Sequence, residues 1–432
     1  MQPNATERRS ARWVAALLIL VILTQRVGIP GVPFIGMTTV LILGWVAAAA
    51  ICHVICLDRL RFCWWLAMGG VTGVAMLLQQ AWLPNADISV NAWLLVLAVW
   101  LPFTFRLVDT GRAGFVLLLR YLTRTTVVLA VATLAMVGSQ LAGVQYVDVV
   151  ARVVPPSFLL EGFNTLIPIF YGSPIYKGTA WIGLEPSITS AFLGLGLLAA
   201  LLSRSSIWAI VVLIVGLVAT VSGSGVVLVI GGVVVLLLSR ARSILAPYWF
   251  LGVLTVVATS LTTFGEVLLS RSTEVQSDNS SAALRSTLPY EVITPQWISD
   301  PLAMVLGWGP GSSQRVVNDS GLVGLLVPTP VKIFYEYGLL AGLILAGMFL
   351  LAFWGGPSRT LSVPLLLTLL LLQPGLTTAI ITVPVLALVT LWSPRRGPQM
   401  EDDPDGLAAR APNVDDETWP RPPGRIVSSS AR

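Results

Sequence analysis

The chain has 432 residues, of which 55% are apolar and 11% charged, with a mean hydropathy of +0.83. Soluble domains carry about 25% charged residues, so an ordinary soluble fold is excluded. Its apolar runs continue unbroken rather than alternating, which excludes an outer-membrane barrel, and the net charge of +5 follows membrane topology and gives no indication of nucleic acid.

The first apolar segment follows Arg12 and ends in Thr24-Gln25-Arg26, without a small-residue cleavage site, so it reads as a first span rather than a removable signal peptide. Runs bounded by Arg, Pro or polar clusters then predict spans at 13–29, 33–56, 63–83, 92–107, 125–143, 185–202, 207–222, 225–239, 246–267, 331–354, 361–374 and 376–393. At about 20 residues per crossing, this is an all-α polytopic membrane protein of about twelve transmembrane helices. Residues 113–124 read either as an interfacial amphipathic helix or as an extension of the fifth span with snorkelling arginines. Cys52, Cys56 and Cys63 share one membrane face and imply no disulfide framework. With His53 they match no zinc spacing, and no metal or other cofactor is expected. Trp64, Trp65, Trp82 and Trp93 at span ends suit an interfacial aromatic belt.

Orientation follows the arginines. Arg8, Arg9, Arg12, Arg59, Arg61, Arg106, Arg112, Arg120, Arg124, Arg204, Arg240, Arg242, Arg359, Arg395 and Arg396 all fall on one side if the chain starts inside. Both termini are then cytoplasmic, in the cytoplasmic (inner) membrane. The Ser222-Gly223-Ser224-Gly225 turn must reverse the chain, and everything downstream depends on it. The membrane domain is residues 1–396. Its outer face receives two long connections, about 144–184 and 268–330, so function is expected there. Residues 397–432 are acidic and Pro-rich with few apolar groups, a composition that predicts a disordered cytoplasmic tail.

Ionisable groups within the spans are few and lie toward span ends, among them His53 and Glu266. Transporters keep such groups near the midplane, so a lipid-linked oligosaccharide flippase or other secondary transporter is disfavoured. The outer connections and the span entry that follows them, by contrast, hold Arg152, Lys177, Arg271, Arg285, Arg315 and Lys332, including both lysines of the chain. Cations over an apolar body suit an anionic, lipid-anchored substrate, since guanidinium groups bind phosphate oxygens in pairs. Solvated loop charge is the competing account.

Three segments carry a family resemblance. Lys177-Gly178 followed by Gly183-Leu184-Glu185-Pro186-Ser187 leads into a span. In the second outer loop come Arg271, then Ser280-Ser281-Ala282-Ala283-Leu284-Arg285, Asp300-Pro301-Leu302 and Gly307-Trp308-Gly309-Pro310-Gly311. Tyr335-Glu336-Tyr337-Gly338-Leu339-Leu340 then enters the next span. In order and loop placement, across residues 144–354, these resemble the O-antigen polymerase and ligase superfamily. The resemblance implies a lipid-linked glycosyltransferase (GT-C-like) fold, with polyprenyl-pyrophosphate-linked glycans as donor and acceptor. A flippase and a chain-length regulator are implied as partners. Ligases of this family carry a histidine ahead of the Glu-x-Gly segment, whereas the sole histidine here, His53, lies at the opposite face, so a polymerase is implied over a ligase. Lys177 stands where arginine is commoner, which keeps charge but not the planar fork.

The chemistry expected from this is extracytoplasmic, metal-independent glycosyl transfer with a pyrophosphate leaving group. Arginines, foremost Arg285 and Arg271, would neutralise the developing charge. Glu336 and Glu185 are the candidate bases for the acceptor hydroxyl, with Glu336 favoured. Each has a structural alternative. Glu185 precedes Pro186 at a helix start, where the helix dipole stabilises a carboxylate regardless of catalysis. Glu336 lies four residues after Lys332, the helical spacing of an ion pair. Gly307, Gly309 and Gly311 could form a phosphate nest or simply a turn. A ligase acting on a cell-envelope acceptor and a non-catalytic assembly scaffold are the remaining alternatives.

Overall fold

The computed structural model describes residues 2–163, 165–169, 172–252, 254, 283–322, 325–371, 376–393 and 400. Arg271, Glu266, most of the predicted ninth span and the tail after Met400 lie outside the described residues.

The described chain is predominantly helical, in keeping with an all-α membrane protein. Among the described residues three helices are long and apolar enough to cross a membrane: α3 (Arg59–Trp82), α5 (Arg112–Leu141) and α14 (Thr329–Phe353). Shorter apolar helices are α2 (Met37–Ile51), α4 (Val90–Trp100), α7 (Pro186–Leu202), α8 (Ile207–Ala219), α9 (Gly223–Leu238), α15 (Arg359–Leu371) and α16 (Ala379–Val385). α1 (Ala5–Thr24) starts earlier than the apolar run, because Asn4 and Glu7 close a reciprocal capping box around its charged first turn. Residues 113–124 belong to the single 30-residue α5 and so extend the fifth span.

The second predicted span begins later than 33. Pro30-Gly31, with Gly31 at φ 82°, makes a tight turn between β1 (Gly28–Ile29) and β2 (Val32–Gly36), and helix starts only at Met37. Pro102 likewise falls in a short 3₁₀ turn after α4, and the chain continues as β4 (Phe105–Leu107), paired antiparallel with β3 (Ile55–Leu57).

Most of α7 is buried, with α5, α8 and α9 packed around it. A helix that is apolar all round belongs in such a place. Small residues allow the close approach: a Cβ on Gly194 would sit 2.7 Å from the Gly225 carbonyl oxygen, and one on Gly216 2.7 Å from the Ala130 side chain. The Ser222–Gly225 turn does reverse the chain. Ser190 of α7 pins it, donating to the Ser222 carbonyl at 3.1 Å and accepting from the Gly225 amide at 3.0 Å.

Polar contacts gather at two ends of the bundle. At one end Arg9 reaches the Cys52 carbonyl, Arg61 the Thr390 carbonyl and Arg112 the Met400 carbonyl, beside the β3–β4 ladder. At the other, Arg26 meets Asp148, the Leu184 amide donates to Gln25, and the Asp87 and Ser89 amides donate to the Trp308 and Pro310 carbonyls. The candidate site lies at this second end.

Candidate functional site

After Pro328, α14 opens with Pro330 in its first turn, a start that needs no amide donor there. Lys332 and Glu336 follow one turn apart, their side chains 12% and 1% exposed, with Lys332 Nζ 2.7 Å from Glu336 Oε1. The helix breaks just beyond, at Gly338 (φ 66°, ψ −173°). A side chain there would collide with the Val305 carbonyl oxygen and the Leu306 backbone at the end of α12 (Pro301–Leu306), so only glycine fits this crossing.

The break strands carbonyls that the glycine-rich turn takes up. The Trp308 amide donates to the Tyr335 carbonyl at 2.9 Å and the Gly309 amide to the Glu336 carbonyl at 3.0 Å. The Gln79 side-chain amide, from α3, donates to the carbonyls of Leu306 at 2.5 Å and Glu336 at 3.0 Å. Gly307, Gly309 and Gly311 all have positive φ. In the described structure this turn docks on backbone, since a Cβ on Gly307 would lie 2.5 Å from the Glu336 carbonyl oxygen and one on Gly309 2.8 Å from that of Asp87.

From Gly311 the chain enters α13 (Ser312–Asp319), which brings Ser313 onto Glu336. Ser313 Oγ donates to Glu336 Oε1 at 2.5 Å, and Lys332 Nζ donates to Ser313 Oγ at 3.1 Å. Glu336 Oε2 is buried and has no hydrogen-bond partner among the described residues. A carboxylate with one oxygen doubly held and the other bare can accept one further hydrogen bond, or a proton, from a group entering the site.

α13 is covered by α11 (Leu288–Ile298) and by Val327, Val331 and Tyr335, which form a small apolar core of their own with Ile293 and Val316. Arg315 points outward and pairs with Asp87 at 3.0 Å. Arg285 lies in the short α10 (Ala283–Ser286), and its side chain, like all of Arg271, is outside the described residues.

The loop between α5 and α7 builds a separate polar group. Arg26 meets Asp148 through both guanidinium nitrogens, at 2.6 and 2.7 Å. Burial works to raise the Asp148 carboxyl, but hydrogen bonds from Arg26 and from the Ala151 and Val150 amides, with the Arg26 charge, outweigh it and hold the group below the usual carboxylate range. Lys177 and Glu185 are both buried here. Glu185 occupies the N-cap of α7 and accepts from the Ser187 hydroxyl at 2.9 Å. Ala180 and Trp181, just before it, both hold positive φ, a strained conformation for residues with side chains. Arg152 is exposed on α6 (Val149–Val153).

The structure therefore brings together Glu336 and Lys332, with Arg315 on the adjoining helix. Ser313 and Gln79 of this site, and Arg26 and Asp148 of the separate polar group, are residues that the sequence reading did not single out. Only Ser313 left a local signal, as a serine just inside a helix that follows the glycine turn. Among the described residues no group of three or more His, Cys, Asp or Glu is placed to hold a metal. Comparison with family models, with curated proteins and with solved structures finds no match.

Proposed function

We propose that the chain polymerises polyprenyl-pyrophosphate-linked glycan repeat units by metal-independent glycosyl transfer, on the outer side of the cytoplasmic membrane. The reading takes the chain as crossing the bilayer about twelve times in a lipid-linked glycosyltransferase fold, with both termini inside. The single observation that carries it is the Glu336 carboxylate, buried at the outer-loop end of the bundle beside Lys332, with Oε2 unpartnered among the described residues.

In the proposed reaction the acceptor sugar hydroxyl attacks the anomeric carbon of the donor glycan. A new C–O bond forms, the C–O bond to pyrophosphate breaks, and polyprenyl pyrophosphate leaves with that bond's electron pair. Glu336 Oε2 takes the hydroxyl proton. Positive charge stabilises the departing pyrophosphate, which is the work assigned to Arg285 and Arg271, with Arg152, Lys177, Arg315 and Lys332 contributing to the field over the outer face. Glu185, fixed at the start of α7, organises the first loop.

The test is the glycan accumulated by a strain lacking this protein. Single lipid-linked repeat units on the outer leaflet are the expected result. Complete but unattached polymer would make the protein a ligase, and units trapped on the inner leaflet a flippase.

A further inference from the structure

We propose that Ser313 is the positioning residue of the Glu336 carboxylate, dividing it into a held oxygen, Oε1, and a working oxygen, Oε2. The activity part of this inference rests on the polymerase reading, whereas the carboxylate geometry does not.

Three atoms form a closed triangle: Ser313 Oγ to Glu336 Oε1 at 2.5 Å, Lys332 Nζ to the same oxygen at 2.7 Å, and Lys332 Nζ to Ser313 Oγ at 3.1 Å. Because Lys332 can only donate, the Ser313 hydroxyl accepts from it and directs its own hydrogen to Glu336. Lys332 alone could not fix the carboxylate. Its ammonium is a point charge on a flexible four-carbon stem, with three donors free to rotate. The serine is short, 1% exposed, and set by its backbone.

That backbone is placed by the residue it serves. Ser313 follows Gly311, which holds φ 89°, and Gly309 before it donates its amide to the Glu336 carbonyl. Ser312 ties the turn to the start of α13 by donating to the Gly309 carbonyl at 2.6 Å. One turn thus grips Glu336 at its carbonyl and, through Ser313, at its carboxylate. With χ rotation blocked at Oε1, Oε2 keeps a fixed direction. A buried carboxylate oxygen without a donor is costly, so it is a place where an entering hydroxyl gains a strong hydrogen bond.

The experiment uses full-length protein carrying Ser313→Ala, Ser313→Thr or Glu336→Gln. Infrared difference spectra of the purified protein against Glu336→Gln isolate the Glu336 bands. The antisymmetric carboxylate stretch should move and broaden in Ser313→Ala and return in Ser313→Thr. In membranes of the deletion strain, charged with its own accumulated lipid-linked glycan, Ser313→Ala should lower kcat on the order of 10- to 100-fold, the size expected of a misaligned group. KM should hold and Ser313→Thr should restore turnover. If Ser313→Ala does not accumulate, Ser313→Cys, with a weaker donor of similar size, gives the same two readouts. An unchanged carboxylate band, a moved band with full turnover, or a loss confined to KM would each overturn the inference. A Ser313-dependent band in a wild-type protein that transfers no glycan would support the positioning and remove only the polymerase reading.

Discussion

Arg26 and Asp148, 122 residues apart in the chain, face each other through both guanidinium nitrogens and both carboxylate oxygens. The pair ties the end of α1 to the loop between α5 and α7. The side chains are 7% and 21% exposed, so removing one partner strands a largely buried charge. For a fully buried pair this costs 3–5 kcal/mol; with Asp148 partly solvated, Asp148→Asn should cost about 2–3 kcal/mol. The folded Asp148 carboxyl titrates lower than in the unfolded chain, where it titrates near 3.9. Its contribution is therefore complete above about pH 5 and is lost as pH falls through the folded value. Thermal unfolding in detergent should show a gap between wild type and Asp148→Asn that is constant from pH 6 to 8 and narrows below pH 4.

Lys332 and Glu336 make the complementary prediction at the second loop. Lys332→Ala leaves the Glu336 carboxylate buried without its cation and should destabilise by about 3 kcal/mol. Adding Glu336→Gln to that variant should recover most of the loss, because a neutral amide needs no counter-charge. Glu336→Gln alone should accumulate normally and abolish polymer in cells. A double variant no more stable than Lys332→Ala would show that the pair is not coupled.

Gly338 should tolerate nothing larger. Gly338→Ala forces a Cβ into the Val305 and Leu306 backbone at φ 66°, and the protein should fail to accumulate. Gly347 lies on the same helix, where among the described residues only the Trp64 ring, 3.5 Å away, is near a new Cβ. Gly347→Ala is the matched control and should change Tm by no more than a few degrees.

Arg285 is predicted to bind pyrophosphate through its planar fork. Arg285→Ala should abolish polymer while protein level is unchanged, and Arg285→Lys should be nearly as damaging, since lysine keeps charge but not the paired geometry. Loss of one charge-assisted contact to the leaving group corresponds to roughly 2–4 kcal/mol, about 30- to 1,000-fold in rate. Normal polymer from well-expressed Arg285→Ala would remove this role.

Sidedness is testable with cysteines at exposed serines, after Cys52, Cys56 and Cys63 are replaced. Cysteine at Ser157 and Ser299 should label with an impermeant thiol reagent in intact cells, and cysteine at Ser243 only after lysis. The reverse pattern would put the Glu336 end in the cytoplasm.

Features of short sequence range were readable in advance. The helical course of α5, the chain reversal at Ser222–Gly225 and the Lys332–Glu336 spacing all follow from local pattern, because a helix repeats every 3.6 residues and a turn needs small ones. The Ser313 contact with Glu336 spans 23 residues, and that of Gln79 with Glu336 spans 257. Neither follows from spacing, since each exists only where packed elements cross. The glycines of the 307–311 turn were legible as a turn but not as a saddle for another helix. What set their conformation was the broken carbonyl ladder at Gly338, a residue that in sequence reads as an ordinary part of a span. Arg26 was legible as a charge and invisible as a partner.

The break at Gly338 also divides α14 into a short first part that carries Glu336 and a longer second part. Tyr335 and Glu336 have their carbonyls bonded by Trp308, Gly309 and Gln79, so the first turns of α14 are fastened to the 307–311 turn and to α3. The fifteen residues from Leu339 to Phe353 continue as a separate rod, about 22 Å long at 1.5 Å per residue. A thicker or thinner membrane changes the tilt that such a rod adopts. If this rod crosses the bilayer, the helix break at Gly338 lies between it and the Glu336 carboxylate, so a change in its tilt would not have to be carried through a continuous helix to reach the site.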